Sequence, residues 1–293
     1  MRVSEIGFGC AGFWGKKIFS DTDAIRLVHT AAERGVTFFD TGGSYSGGIA
    51  ERRLGQALAG MPRRQDIIIS TKIGTCLDRY GRAYKDFSPR QLEAGVENSL
   101  RSLGVECIPL VQIHGPYMHD LTDEVLQLLT RLRAQGKVLH WGVNSPYEAV
   151  IEHVLSLPIF ETVMINYNIL HPWSENLIQS LNAKRIGILA AMPLAGALYH
   201  PRGLWSVRDI WYALRAHRNY PADKKQAKRY RFLNTLPGWT AAQAALAWVL
   251  SNAHISSAVI GTTRLKHLLE NLEVSGKTMD AAILQRIRRA QQS

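Results

Sequence analysis

Eight short runs rich in β-branched residues recur along the chain, separated by stretches of helical period, and this alternation limits the fold more than any other feature. The runs are Ile6–Gly9, Val36–Phe39, Ile67–Thr71, Ile108–Ile113, Leu139–Val143, Thr162–Ile165, Gly187–Ala190 and Ser257–Ile260. Strands that alternate with helices predict a parallel sheet, because each helical crossover carries the chain back to the same end. Eight such units are the number that closes a (β/α)8 TIM barrel. A chain of 293 residues with 46% hydrophobic content can fill that barrel, so a single domain over residues 1–293 is expected.

Helix starts fall where the alternation needs them. Asp21 precedes Ala24-Ile-Arg-Leu-Val, Ser88 offers a capping hydroxyl before Pro89 at the first helical position, and Thr240 can cap Ala241–Leu250. Helices are expected over Arg264–Glu273 and Asp280–Gln291, followed by a short C-terminal tail. The connection between the seventh and eighth runs, Leu198 to Trp239, is unusually long and is expected to hold extra helices.

That connection also carries much of the excess charge behind the net +11, with Lys224, Lys225, Lys228, Arg229 and Arg231 in the stretch from Arg202 to Arg231. Interleaved with Trp205, Trp211 and Tyr212, it could bind a polyanion. A solvated helix over an active-site mouth explains the same pattern, and an anionic cofactor or substrate would satisfy the charge, so no nucleic-acid partner is expected. No apolar span long enough for a membrane helix and no basic-then-apolar leader occur, and the three scattered cysteines Cys10, Cys76 and Cys107 suit a reducing compartment. A cytoplasmic protein is expected, with no membrane partner and no metal site.

Four polar residues end or follow three of the runs: Asp40, Tyr45 five residues later, Lys72 and His114. Parallel strands would bring all four to the end of the sheet where barrel enzymes do their chemistry. Together they form a proton-delivery set. Reducing a carbonyl creates an alkoxide, which needs a proton and charge stabilisation. A tyrosine of ordinary pKa near 10 becomes a better acid beside a lysine, an aspartate fixes that lysine, and a histidine can orient the carbonyl oxygen. Singly, each has an ordinary structural explanation as a rim ion pair, a loop aromatic or a turn histidine.

The segment Phe39-Asp-Thr-Gly-Gly-Ser-Tyr-Ser-Gly-Gly-Ile-Ala-Glu51 resembles the signature of the aldo-keto reductase superfamily. The resemblance continues through Ser70-Thr-Lys72, Glu97-Asn-Ser-Leu-Arg-Ser-Leu-Gly104 and Val111-Gln-Ile-His-Gly-Pro116. It extends to Gly136-Lys-Val-Leu-His-Trp-Gly-Val143, Pro193-Leu-Ala-Gly196, and Ile260-Gly-Thr with Glu270-Asn271. It implies a barrel that binds a nicotinamide cofactor in extended form without a dinucleotide-binding domain, and no Gly-x-Gly-x-x-Gly follows a strand here.

By resemblance, Tyr45 is the general acid, Lys72 its modulator, Asp40 the lysine's partner and His114 the carbonyl-orienting group. The implied cofactor residues are Asn144 and Ser145 at the carboxamide, and Met192, Pro193, Leu194, Gly196 and Leu198 around the pyrophosphate. Gly261, Thr262, Thr263, Arg264 and His267 would hold the adenosine phosphate at a helix start, with Glu270 and Asn271 at the adenine. NADPH is the expected cofactor and NADH is not excluded. Arg264, Lys266 and His267 read equally simply as surface charges.

The departures from the family pattern gather around the nicotinamide. Ser-Asn is reversed as Asn144-Ser145, Met164 stands three residues before Tyr167 where glutamine is usual, and Ala191 replaces the stacking aromatic. Phe13, Trp14, Tyr117 and Trp205, with Trp211, are candidates for a substrate pocket, or for packing under loops. A short tail and a basic, aromatic lid suggest an open site for a small polar or sugar-like carbonyl compound. Three other readings stand beside the reductase: a nicotinamide-binding regulatory subunit, a Schiff-base enzyme at Lys72, and a nucleic-acid binder. The oligomeric state is left open.

Overall fold

The computed structural model describes residues 1–62, 64–199, 206–219 and 221–292. Among the described residues ten strands form: β1 (Ile6–Gly9), β2 (Phe38–Asp40), β3 (Ile68–Ile73), β4 (Thr75–Leu77), β5 (Ala83–Lys85), β6 (Ile108–His114), β7 (Val138–Asn144), β8 (Phe160–Asn166), β9 (Gly187–Ala191) and β10 (Ile255–Ile260). Eight of them close a barrel in the order β1-β10-β9-β8-β7-β6-β3-β2, with parallel pairing throughout. The (β/α)8 expectation is met, and every expected run contributes a barrel strand.

The helices are α1 (Asp21–Glu33), α2 (Ile49–Leu58), α3 (Pro89–Leu103), α4 (Asp123–Ala134), α5 (Glu148–Val154), α6 (Glu175–Ala183), α7 (Val207–Asn219), α8 (Pro221–Gln226), α9 (Ala241–Leu250), α10 (Leu265–Leu272) and α11 (Ala281–Gln292). Helix α1 shows how they are specified: the Ser20 hydroxyl accepts from Asp23 N–H, and Ala24, Leu27, Val28 and Ala31 make one buried stripe. Thr240 caps α9 as expected, with Gln243 returning the bond in a capping box. Ser88 stands at the N-cap of α3 but its hydroxyl donates to Asp86 instead of accepting from the helix, so the expected capping bond is not made. Among the described residues no helix is long and apolar enough to cross a membrane.

Two cores result. A large one lies between barrel and helices, and a small one, Phe38, Leu110, Met164, Leu189 and Val259, fills the barrel interior. Polar residues sit on top of that inner layer, because side chains two apart along a strand share a face. Ser70 and Lys72 therefore accompany each other on β3, and Gln112 and His114 on β6.

Beyond the expected units, β4 and β5 form an antiparallel hairpin between β3 and α3, with Thr75 paired to Lys85. Asp78 makes its turn by accepting from the backbone N–H groups of Tyr80 and Arg82 at 2.8 and 2.9 Å. The long connection contains α7, α8 and a 3-10 stretch over Ala227–Thr235, and the part of it that includes Arg202 and Trp205 lies outside the described residues.

Candidate active site

Register fixes the centre of the site. Asp40 pairs with Ser70, and Lys72 with Gln112, at adjacent positions of β2, β3 and β6. Lys72 Nζ donates to Asp40 Oδ2 and, at 2.8 Å, to the Thr41 carbonyl. The second carboxylate oxygen accepts from Ser70 Oγ at 3.0 Å and from Gln112 Nε2 at 3.3 Å, and Gln112 also donates to Ser70 Oγ at 2.6 Å. Both members of the ion pair are buried, at 5% exposure for Asp40 and 3% for Lys72, so removing one would strand a charge in a dry layer.

Burial pushes the Asp40 carboxyl upward against the pull of Lys72 and its hydrogen bonds. For Lys72, burial acts against the charged form, but Asp40 and Tyr45 outweigh it and the ammonium pKa is raised. A Schiff-base nucleophile needs the opposite shift.

Tyr45 sits in the loop between β2 and α2, half-buried, with the Lys72 ammonium 5.2 Å from its ring centroid. The expected lowering by Lys72 operates, yet burial exceeds it and the phenol lies above its ordinary value. The His114 ring meets Tyr45 edge-on with centroids 5.9 Å apart. Burial, aided by the Lys72 and Lys85 charges, pushes the His114 imidazole down to about 3, so it is neutral at physiological pH. The barrel thus brings Asp40, Tyr45, Lys72 and His114 together.

Several neighbours were given no role from the sequence. Ser70 and Gln112 complete the Asp40 shell, and their signal was the two-residue period that aligns them with Lys72 and His114. Glu51, on the first turn of α2, is buried and accepts from Thr71 Oγ1 at 2.5 Å. Arg53 is buried beneath the loop after β1, where it donates to the carbonyls of Trp14 and Phe19 and pairs with Asp21 at 2.5 Å. Thr75 and Lys85 reach His114 from the hairpin: Thr75 Oγ1 lies 3.0 Å from His114 Nδ1, and Lys85 Nζ donates to Thr75 Oγ1 at 2.7 Å and to the His114 carbonyl.

The expected carboxamide residues stand at the ends of β7. Asn144 already donates Nδ2 to the Met164 carbonyl at 3.1 Å, leaving its amide oxygen as the group available to a ligand. Ser145 is buried, and its hydroxyl accepts from Tyr147 N–H at 3.2 Å. Met164 belongs to the inner core and touches Gln112 Nε2 through its sulfur at 3.9 Å. Tyr167 turns away from the rim, stacks on Trp248 and accepts from Asn252.

The loop after β9 adopts an unusual backbone: Met192, Ala195, Gly196 and Ala197 have φ of 50, 46, 60 and 54°. The amides of Ala195, Ala197 and Leu198 bond within the loop, to Met192, Leu194 and Ala195. Pro193 and Leu194 sit in the same turn. After β10, Gly261 is exposed, Thr262 and Thr263 are buried, and Thr262 Oγ1 accepts from Arg264 N–H at 3.1 Å. Arg264 is the N-cap residue of α10 and pairs with Asp209 of α7 at 2.6 Å. His267 is exposed, Glu270 half-buried, and Asn271 buried with its side-chain oxygen lacking a partner among the described residues.

Of the substrate-pocket candidates, Trp14 is 1% exposed and packs against Phe8 and the Arg53 guanidinium, which fits the packing alternative. Phe13 is buried against Trp211 and Tyr212 of α7, holding that helix over the loop after β1. Tyr117 is exposed and stacks on Tyr147 at the rim beyond β6 and β7. Trp205 lies outside the described residues.

Comparison with known proteins gives one consistent result. The model of the aldo/keto reductase family matches residues 5–292. A probable aldo-keto reductase of Glycine max is 28% identical over 282 residues, covering 92% of this chain and 80% of its own. A probable voltage-gated potassium channel subunit beta of Oryza sativa subsp. japonica is 25% identical, covering 93% and 88%. The holo form of an aldo-keto reductase from Bacillus halodurans superposes with a TM-score of 0.82 at 25% identity, covering 98% of this chain and 92% of that one.

Proposed function

The chain belongs to the aldo/keto reductase family of carbonyl oxidoreductases that use nicotinamide cofactors, and from that premise we propose that it reduces a small aldehyde or ketone to an alcohol with NADPH, Tyr45 acting as general acid. The observation that carries this reading is the convergence of Tyr45, the buried Lys72–Asp40 pair and neutral His114 at one end of the barrel.

The residues suit the cofactor. A buried amide oxygen without a partner among the described residues, Asn271 Oδ1, is an acceptor suited to an amino donor such as that of adenine. Arg264 at the start of α10 is the group assigned to a ribose phosphate, with Thr262, Thr263, Gly261, His267 and Glu270 around it. Asn144 and Ser145 would face the carboxamide, and Met192, Pro193, Leu194, Gly196 and Leu198 the pyrophosphate. A nicotinamide, when bound, supplies the hydride.

The protein's own work is then to hold and move a proton. His114, uncharged, can donate a hydrogen bond to the substrate oxygen without placing a full charge there. Tyr45 gives its phenolic proton to the oxygen as negative charge develops, and Lys72 stabilises the resulting phenolate. Asp40 keeps Lys72 charged and fixed, and Ser70 and Gln112 hold Asp40. The open, polar rim favours a polar or sugar-like carbonyl compound and the basic α7–α8 segment an anionic ligand, and we assign neither a nucleic-acid nor a membrane partner.

The test is oxidation of NADPH and of NADH followed with a panel of aldehydes and ketones. Tyr45→Phe should lower kcat by about 10²- to 10⁴-fold while nucleotide binding, read by tryptophan quenching, is unchanged. The rice relative's name, a probable potassium channel subunit, favours one second reading, a regulatory subunit, which we take to be nicotinamide-binding. Tight nucleotide binding with no turnover across the panel would move the assignment to it.

A further inference from the structure

The β4–β5 hairpin ends against the catalytic histidine. Lys85 Nζ crosses over Gly115, where a Cβ would lie only 2.9 Å from the ammonium, and donates to both the His114 carbonyl and Thr75 Oγ1. Thr75 Oγ1 lies in turn 3.0 Å from His114 Nδ1. The direction of each bond follows from chemistry. An ammonium has no lone pair, so Lys85 must donate and Thr75 must accept. Among the described residues the Thr75 hydroxyl has no further partner, so His114 Nδ1 is the one protein acceptor within reach of its hydrogen. If Nδ1 carried the proton instead, the hydroxyl would accept from both cationic neighbour and ring, and its hydrogen would be left without an acceptor among the described residues.

We propose that Thr75 and Lys85 are positioning residues for carbonyl reduction: Lys85 orients the Thr75 hydroxyl, Thr75 donates to His114 Nδ1, and His114 is held as the tautomer with its proton on Nε2. That is the tautomer able to donate to a substrate oxygen, so the inference rests on the role given to His114 above. The Lys85 charge has a second consequence, since together with burial and Lys72 it keeps His114 from taking up a second proton. The fixed tautomer parallels the way a hydrogen bond at one ring nitrogen of a metal-bound histidine decides the state of the other.

The experiment combines ¹⁵N-histidine NMR of the whole chain with kinetics. The His114 signals are assigned by their loss in His114→Gln. Wild type should show unprotonated Nδ1 and protonated Nε2. Thr75→Val keeps the shape and removes the hydroxyl. It should mix the tautomers and lower kcat/KM by about tenfold, and Thr75→Ser should restore both. Lys85→Met should move the acidic limb of the kcat/KM profile toward neutral pH. A single unchanged tautomer in Thr75→Val overturns the proposal, as does a tautomer change that leaves kcat/KM untouched. If wild type reduces none of the carbonyls, the function assigned above fails, while the NMR comparison, which needs no substrate, still decides whether the hairpin sets the tautomer.

Discussion

The rings of Tyr45 and His114 stand at 84° to each other, with the Lys72 ammonium close to the tyrosine face. This crowding withholds water from the phenol, and burial raises its pKa despite the lysine. An acid works in its protonated form, so the reductive rate should be flat from about pH 6 to about pH 9 and fall only as pH passes above about 10. Lys72→Met removes a group that lowers the phenol pKa. Its alkaline limb should move still higher while the maximal rate drops, which a pH–rate profile would record.

The Asp40–Lys72 pair makes a prediction about stability. Asp40→Leu leaves Lys72 charged and unpaired in the barrel, at a cost of about 3–5 kcal/mol. The double replacement Asp40→Leu with Lys72→Met removes both charges and should cost less than the sum of the two single changes. Urea denaturation of the four proteins measures the coupling. Simple additivity would mean that the pair is not a unit.

His114 supplies a stability slope in acid. Its folded pKa, about 3, is below the ordinary value of 6.5 for an unfolded chain. The unfolded chain therefore binds the extra proton first, and stability falls as pH drops from about 6.5 toward 3. The contribution is at most about 1.4 kcal/mol per pH unit over that window and is fully present above it. His114→Gln should show a shallower loss of stability between about pH 6 and pH 4 in the same denaturation experiment.

Arg264 is tied to Asp209, and both side chains are only partly buried, at 40% and 18% exposure. Such a pair is worth about 0.2–1 kcal/mol. Asp209→Asn should release Arg264 for a ribose phosphate and tighten NADPH binding by up to about fivefold, with little change for NADH. Arg264→Ala should weaken NADPH selectively. Equal effects on the two nucleotides would remove Arg264 from the phosphate site.

The barrel was legible because each of its strands kept its hydrophobic run and each long helix its period, and part of the family signature lay at strand ends. The tetrad was legible for the same reason. The hairpin was not. Thr75, Cys76 and Leu77 continue β3 past a glycine, and a three-residue strand carries too little pattern to separate from a loop. Its effect on His114 runs through contacts between residues 29 and 39 positions apart, which no local spacing announces. Ser70 and Gln112 were concealed differently. Each is a polar residue within an apolar strand, quoted in the family motifs without a role, and only the barrel interior brings it to Asp40. Trp14 carried two readings, pocket wall or packing, and its burial against Phe8 and the Arg53 guanidinium fits the second.

The left-handed turn after β9 has a consequence for how this protein can change over time. Met192, Ala195 and Ala197 occupy backbone conformations that cost a side chain roughly 1–2 kcal/mol each. Branched residues would fare worse there and glycine better. Variation in this loop is therefore channelled by backbone shape before ligand chemistry has any say, and a screen of all substitutions at these positions should accept glycine most readily. A lineage adapting the protein to a new cofactor would find more room in the side chains at the start of α10 than in the turn itself.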